Sequence, residues 1–143
     1  MESLKDKIAI VGVGYTPQGK VPGRNAMSFH IEAAKNAIED AGLKIGDVDG
    51  ILTQPSPGDP SNYDGLCMPW NIVQQLGMRV RFCSGQTAMG ATAGCMVFHA
   101  AAALIYGLAD YVVCTYGESP RSGQAAGGYS IGWGEQAAFG WFG

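Results

Sequence analysis

Few residues in this chain are placed to do chemistry. The shortest route to a site is the small-residue run Met89-Gly90-Ala91-Thr92-Ala93-Gly94, which leads into the apolar stretch Cys95 to Leu108. Small residues at a strand-to-helix turn let backbone N–H groups approach a ligand, and the positive end of a helix favours an oxyanion or a thiolate there. Met89, Gly90, Ala91, Thr92 and Gly94 are therefore candidate substrate-binding positions. The alternative reading is that small residues only let a buried helix pack closely on its sheet, and composition leaves both open.

Cys95 and His99 are the candidate catalytic side chains of that helix. A thiol in the first turn can be activated, but a cysteine in an apolar run reads first as a small hydrophobe. His99 is the sole polar interruption of the run. Its imidazole must find a hydrogen-bond partner or destabilise the core, and catalysis is the second reading. Cys83 closes a strand-like segment, while Cys67 and Cys114 read as loop and core residues. None of the four cysteines forms a metal-type CxxC, so no metal site is expected. Glu118 follows the last strand-like run. His30 falls on an amphipathic stretch and is expected at the surface. Arg79 and Arg81 suit either a coenzyme phosphate or partner subunit, or a solvated sheet edge. Two familiar patterns fail on context. After Gly12 and Gly14 the third position of a GxGxxG loop is Pro17. Gly128-Tyr129-Ser130-Ile131-Gly132 spells GxSxG with no apolar strand before it.

The elements that would hold these residues alternate. Ile8 to Val13 is a β-branched apolar run that suits a strand buried on both faces. Met27, Ile31, Ala34, Ile38 and Ala41 recur at the period of one helix face, with Asn25 or Ser28 at the start and Gly42 as terminator. Ile51 to Thr53 predicts a second strand, and the proline-rich stretch 55–69 a loop. Pro69 opens a helix over 70–76 that Gly77 stops. Arg79 to Cys83 predicts a third strand, Ala93 to Tyr106 a helix covered on all sides, and Asp110 to Thr115 a fourth strand. The order βαβαβαβ predicts an α/β fold with a mainly parallel or mixed sheet around a buried central helix, with ligands at the carboxyl ends of the strands.

Composition agrees. The 143 residues are 47% apolar and 15% charged with a net charge of −3, which fits one globular domain and offers no basic surface for nucleic acid. Reduced thiols and the lack of a signal peptide fit a cytoplasmic setting, and the apolar stretch is too short for a membrane span. Glycine reaches 22 residues, about twice the usual share, and crowds the end from Arg121 onward.

Four stretches together resemble the N-terminal part of the thiolase superfamily, in the branch of sterol-carrier-protein-type thiolases and lipid-transfer-protein-like thiolases and aldolases. They are Lys7-Ile8-Ala9-Ile10-Val11-Gly12-Val13-Gly14, Ala33-Ala34 to Gly42 with Asp47-Val48-Asp49-Gly50, the Gly90 to Gly107 turn and helix, and Tyr116-Gly117-Glu118-Ser119. In that family the turn before the buried helix carries a nucleophilic cysteine. Counting back from Gly94 and Ile105 places Ala91 at that position, and alanine cannot form an acyl-enzyme. The resemblance implies a coenzyme A thioester as substrate, with no covalently bound cofactor, and carbon–carbon bond chemistry by a Claisen or retro-aldol route.

Family members run to more than twice this length. The resemblance therefore implies that residues 1–120 are an incomplete thiolase-like α/β half and that 121–143 open a glycine-rich loop domain, so that the chain alone would be inactive. It also implies acyl-CoA as a ligand, a homodimer, and a small OB-fold partner protein, with acid/base groups coming from outside this stretch. Two other readings remain at this stage. One is a noncatalytic acyl-CoA or lipid carrier, or structural subunit. The other is an unrelated flavodoxin-like module that folds alone as a monomer.

Overall fold

The computed structural model describes residues 6–55 and 67–118. Three parallel strands, β1 (Gly50–Thr53), β2 (Phe82–Gly85) and β3 (Val112–Thr115), form a sheet in the order β2-β1-β3. Helices α1 (Ala26–Asp40) and α2 (Pro69–Leu76) cover one face, and α3 (Thr92–Ile105) covers the other. The α/β class and the parallel sheet of the sequence reading hold.

Each helix starts and stops for a local reason. Asn25 caps α1 by accepting the Ser28 N–H at 2.8 Å. Pro69 occupies the first turn of α2, where no N–H is needed. All three helices end in one motif, with Gly42, Gly77 and Gly107 at positive φ and the next N–H reaching back to Ile38, Val73 and Ala103. The apolar residue that follows, Leu43, Met78 or Leu108, continues the chain away from the helix. Strand alternation then sorts the core. Ile51 and Val113 pack with Ala34 and Ile38 of α1 and Ile72 and Leu76 of α2, while Leu52 meets Met96 and Ala100 of α3.

Three expectations are corrected. The run Ile8 to Val13 adopts no strand. It lies along α1 instead, where a Cβ at Gly12 would run into the Ala37 carbonyl and one at Gly14 into that of Ala33. Val13 N–H donates to Asp40 Oδ2 at 2.9 Å, and Ile10, Val11 and Val13 are exposed. The third strand begins at Phe82 rather than Arg79, because Arg81 and Phe82 N–H groups both turn to the Asp49 carbonyl where the ladder starts. Finally, α3 is covered by the sheet on one side only, and Val97, Phe98 and Ile105 stand exposed among the described residues. The proposed tail domain at 121–143 and the GxSxG run lie outside the described residues, as does Ser119.

Asp49 joins the starts of all three strands. Its Oδ1 accepts the Asp110 and Tyr111 N–H groups at 2.8 and 3.0 Å, and its Oδ2 accepts Arg81 Nε at 2.7 Å. Arg81 Nη2 reaches on to Asp110 Oδ2 at 2.7 Å. Partial burial pushes the Asp49 carboxyl up, but the Tyr111 and Asp110 amides together with the Arg81 guanidinium outweigh it, and it titrates below the ordinary 3.8. Its stabilising contribution is complete above about pH 4 and fades as pH falls through the lowered value. Asp49→Ala is expected to lower stability by about 2 kcal/mol at neutral pH, because two strand-start amides lose a charged acceptor. Urea unfolding measures it, and an unchanged midpoint would show that these bonds are replaced by water without cost.

Candidate active site at the carboxyl ends of the strands

In a parallel sheet the residues just beyond the strand ends face one common rim. After Gly85, Gln86 N–H bonds back to the Thr53 carbonyl at 2.9 Å, and a 3₁₀ turn over Met89–Ala91 feeds α3. Thr92 is buried, and its Oγ1 accepts the Ala88 N–H at 2.9 Å, which closes the turn. No side chain caps α3 at Ala91. Gly90, Ala91 and Gly94 are exposed, and a Cβ at either glycine would meet nothing within 4 Å. Close packing on the sheet therefore does not explain these small residues. The amino end of the helix is exposed at Gly90, Ala91 and Gly94, as an oxyanion site requires.

The catalytic candidates on α3 sit differently from expectation. Cys95 is half-buried one turn into the helix. His99 is exposed, not a core histidine, and its ring leans on Phe98 with centroids 5.8 Å apart. The reason is that α3 turns only one side to the sheet, and residue 99 falls on the other. The remaining thiols are poor nucleophiles: burial pushes Cys67 and Cys114 up to about 11 and raises Cys83 as well.

His30 is the main correction. It is fully buried and lies at a strand end, where its Nδ1 hydrogen-bonds Thr115 Oγ1. A Cβ on Gly117 would stand 2.9 Å from the imidazole Cδ2, so only glycine lets the strand end pass this ring. Burial pushes its pKa down from 6.5 to about 4, against the opposing hydrogen bond with the Gly117 backbone. The signal was present in the sequence, since Ala26, His30, Ala34 and Ile38 repeat at four-residue steps and form the buried side of α1. Gln54 and Glu118 complete the rim on the α3 side. Gln54 is buried, and its Nε2 donates to Glu118 Oε1 at 3.4 Å. Only its place at the end of β1 could have singled it out.

Two other features lie elsewhere. Arg81, a candidate for coenzyme phosphate, pairs with Asp49 and Asp110 at the amino ends of the strands, away from this rim. A groove of about 430 Å³ lined by Val13, Gly14, Tyr15, Asn36, Glu39 and Asp40 follows the seam between the extended segment and α1. Asp40 and Asn36 there bond the Val13 and Tyr15 backbone, so the seam is packing. Among the described residues no three His, Cys, Asp or Glu side chains gather as metal ligands, and no helix is long and apolar enough to cross a membrane.

The buried His30 predicts an acid-sensitive fold. The unfolded chain takes up a proton near 6.5 and the folded chain only near 4, so stability is complete above about pH 7 and falls as pH drops between those values. The loss between pH 7.5 and 4.5 is expected to be about 2–3 kcal/mol. His30→Gln should remove most of that slope in urea unfolding at the two pH values. An unchanged slope would mean that the ring is protonated in the folded state.

No family model matches the chain. It is 35% identical over 124 residues to a steroid side-chain-cleaving aldolase of Thermomonospora curvata, covering 86% of this chain and 30% of that protein. It is 34% identical over 124 residues to a 17-hydroxy-3-oxo-4-pregnene-20-carboxyl-CoA lyase of Mycobacterium tuberculosis, covering 87% and 30%. Among solved structures it superposes on an Ltp2-ChsH2(DUF35) aldolase with a TM-score of 0.65 at 31% identity, covering 87% of this chain and 32% of that one. An acetyl-CoA acetyltransferase from Syntrophomonas wolfei gives a TM-score of 0.66 at 24% identity, covering 85% and 32%, and so shares the fold. The chain spans about 30% of the length of the curated relatives it matches.

Proposed function

We propose, for a chain with the thiolase-like fold whose relatives are thiolase-like aldolases, that it forms part of an enzyme that cleaves or forms a carbon–carbon bond in a coenzyme A thioester. The observation that carries this reading is the exposed run Gly90, Ala91 and Gly94 at the amino end of α3, on the carboxyl rim of the sheet, with Ala91 rather than a nucleophile at its cap. The thioester oxygen would be held by the first N–H groups of α3, where an enolate's negative charge is stabilised as it develops. Gly90 and Gly94 leave the approach clear.

Ala91 offers no sulfur for an acyl-enzyme, so the retro-aldol direction is the one that this site serves. A base takes the β-hydroxyl proton, the Cα–Cβ bond breaks, and its electron pair becomes the enolate held at α3 before protonation at carbon. The printed names of the two curated relatives, an aldolase and a carboxyl-CoA lyase, support that direction over thiolysis.

The reading includes more protein than is described. Exposed Val97, Phe98 and Ile105 on α3, and Ile10, Val11 and Val13 beside α1, are apolar surface that water would not leave uncovered. Residues 1–120 are proposed as one α/β half, covered in the intact protein by further chain and by a second copy. The two-component name of the solved aldolase supports an additional partner subunit, proposed here as a small OB-fold protein. A cytoplasmic setting suits the four free thiols.

Intact protein assayed with a β-hydroxyacyl-CoA should release an acyl-CoA shortened by cleavage, whereas a β-ketoacyl-CoA with free coenzyme A should give no thiolysis. Cys95→Ala and Cys83→Ala are expected to keep the cleavage rate within about twofold, since no step runs through sulfur. A hundredfold loss in Cys95→Ala, or acylation of Cys95 by the thioester, would replace this mechanism with a covalent one. Stoichiometric binding without turnover would instead make the protein a carrier.

A further inference from the structure

Among the described residues, three buried side-chain atoms lack a hydrogen-bond partner: Thr53 Oγ1 and Gln54 Oε1 at the carboxyl end of β1, and His30 Nε2 on α1 beside the end of β3. Buried polar atoms are paired in the great majority of cases, so each of these calls for an explanation. Two of the three face α1, because Thr53 is the register partner of Thr115, and Thr115 holds His30.

Gln54 differs. Strand alternation turns it to the side of Leu52, which packs on Met96 and Ala100 of α3. It therefore stands at the same end of the sheet as the open α3 amino terminus. Its backbone N–H is held by the Thr115 carbonyl at 3.2 Å, and the residue is only 7% exposed. Nε2 donates to Glu118 Oε1 at 3.4 Å. A carboxylate only accepts, so this contact decides which way the carboxamide faces: the NH₂ points to Glu118, and Oε1 is left as a bare acceptor.

We infer that Gln54, oriented by Glu118, is the residue that reads a hydroxyl on the acyl portion of the substrate, accepting its hydrogen bond at Oε1 while the thioester oxygen lies at the amino end of α3. The inference rests on the acyl-CoA reading above and deepens it by assigning the specificity. A β-hydroxyl can donate to Oε1. A β-ketone has only lone pairs and sets acceptor against acceptor in a buried place. Sites that hydrogen-bond a substrate hydroxyl reject the analogue without it much more strongly than an apolar pocket separates neighbouring chain lengths. An amide oxygen is too weak a base to remove the proton, so Gln54 determines specificity at the binding step, and the hydroxyl then turns its single proton from Oε1 to the base, another group, before the bond breaks.

The test titrates intact protein calorimetrically with two coenzyme A thioesters of one acyl skeleton, β-hydroxy and β-keto. Wild type is expected to bind the hydroxy compound about tenfold more tightly. Gln54→Leu should bring the ratio near one by weakening the hydroxy compound alone. Glu118→Gln, whose side chain can donate as well as accept, frees the carboxamide to turn over and should lower the ratio part of the way. Equal affinities in wild type, or a ratio unmoved by Gln54→Leu, overturns the assignment and leaves the acyl-CoA reading standing. Binding of neither thioester overturns both. Should Gln54→Leu fail to fold, the Glu118→Gln ratio decides, and no change in it overturns the assignment.

Discussion

The whole arrangement depends on one carboxylate. Asp49 accepts the amides that start β3 and the guanidinium that precedes β2, and its own carbonyl takes the first N–H groups of β2. Parallel strands come from distant parts of a chain, and nothing local sets their mutual register. Here the register is set at the amino ends, so Thr53, Gly85 and Thr115 come level at the carboxyl ends. The rim on which α3 opens is the far side of that alignment.

The two ends of the sheet are treated in opposite ways. At the amino ends, Asp49, Arg81 and Asp110 satisfy one another and the backbone around them. At the carboxyl ends, among the described residues, a histidine, a threonine and a glutamine are buried with one atom each unmatched. Leaving a buried polar atom unmatched costs about 1–3 kcal/mol, a substantial fraction of the stability of a small domain.

The apolar surface carries a related lesson. Alanine and glycine make up much of α3, so the helix buries little area per residue and relies on close approach to the sheet through Met96 and Ala100. Its opposite side, with Phe98 and Val97, is as apolar as the buried one. A helix with that composition is built for cover on both sides. The exposed segment beside α1 has the same character, with Gly12 and Gly14 pressed on the helix and β-branched residues turned outward.

The local parts were legible in the sequence because short-range rules govern them. Asn25, Pro69 and the three glycines at 42, 77 and 107 determined where helices begin and end, and the β-branched residues of 50–53 and 112–115 determined two strands. The small-residue turn before α3 was equally readable from residue types. Partnership was not. Ile8 to Val13 has the composition of a strand, but it lies along α1, with Gly12 and Gly14 against the Ala37 and Ala33 carbonyls. His30 was misread as a surface residue because its burial depends on β3 arriving beside α1 with Gly117 in place, 87 residues later in the chain. His99 erred the other way, since an apolar run implies burial but not on which side. Gln54 became a candidate only when the register of three strands brought it level with Glu118 and the amino end of α3. Residue types and spacing set the chemistry of each piece, whereas which polar atoms meet and which are left bare is decided by packing between pieces far apart in the chain.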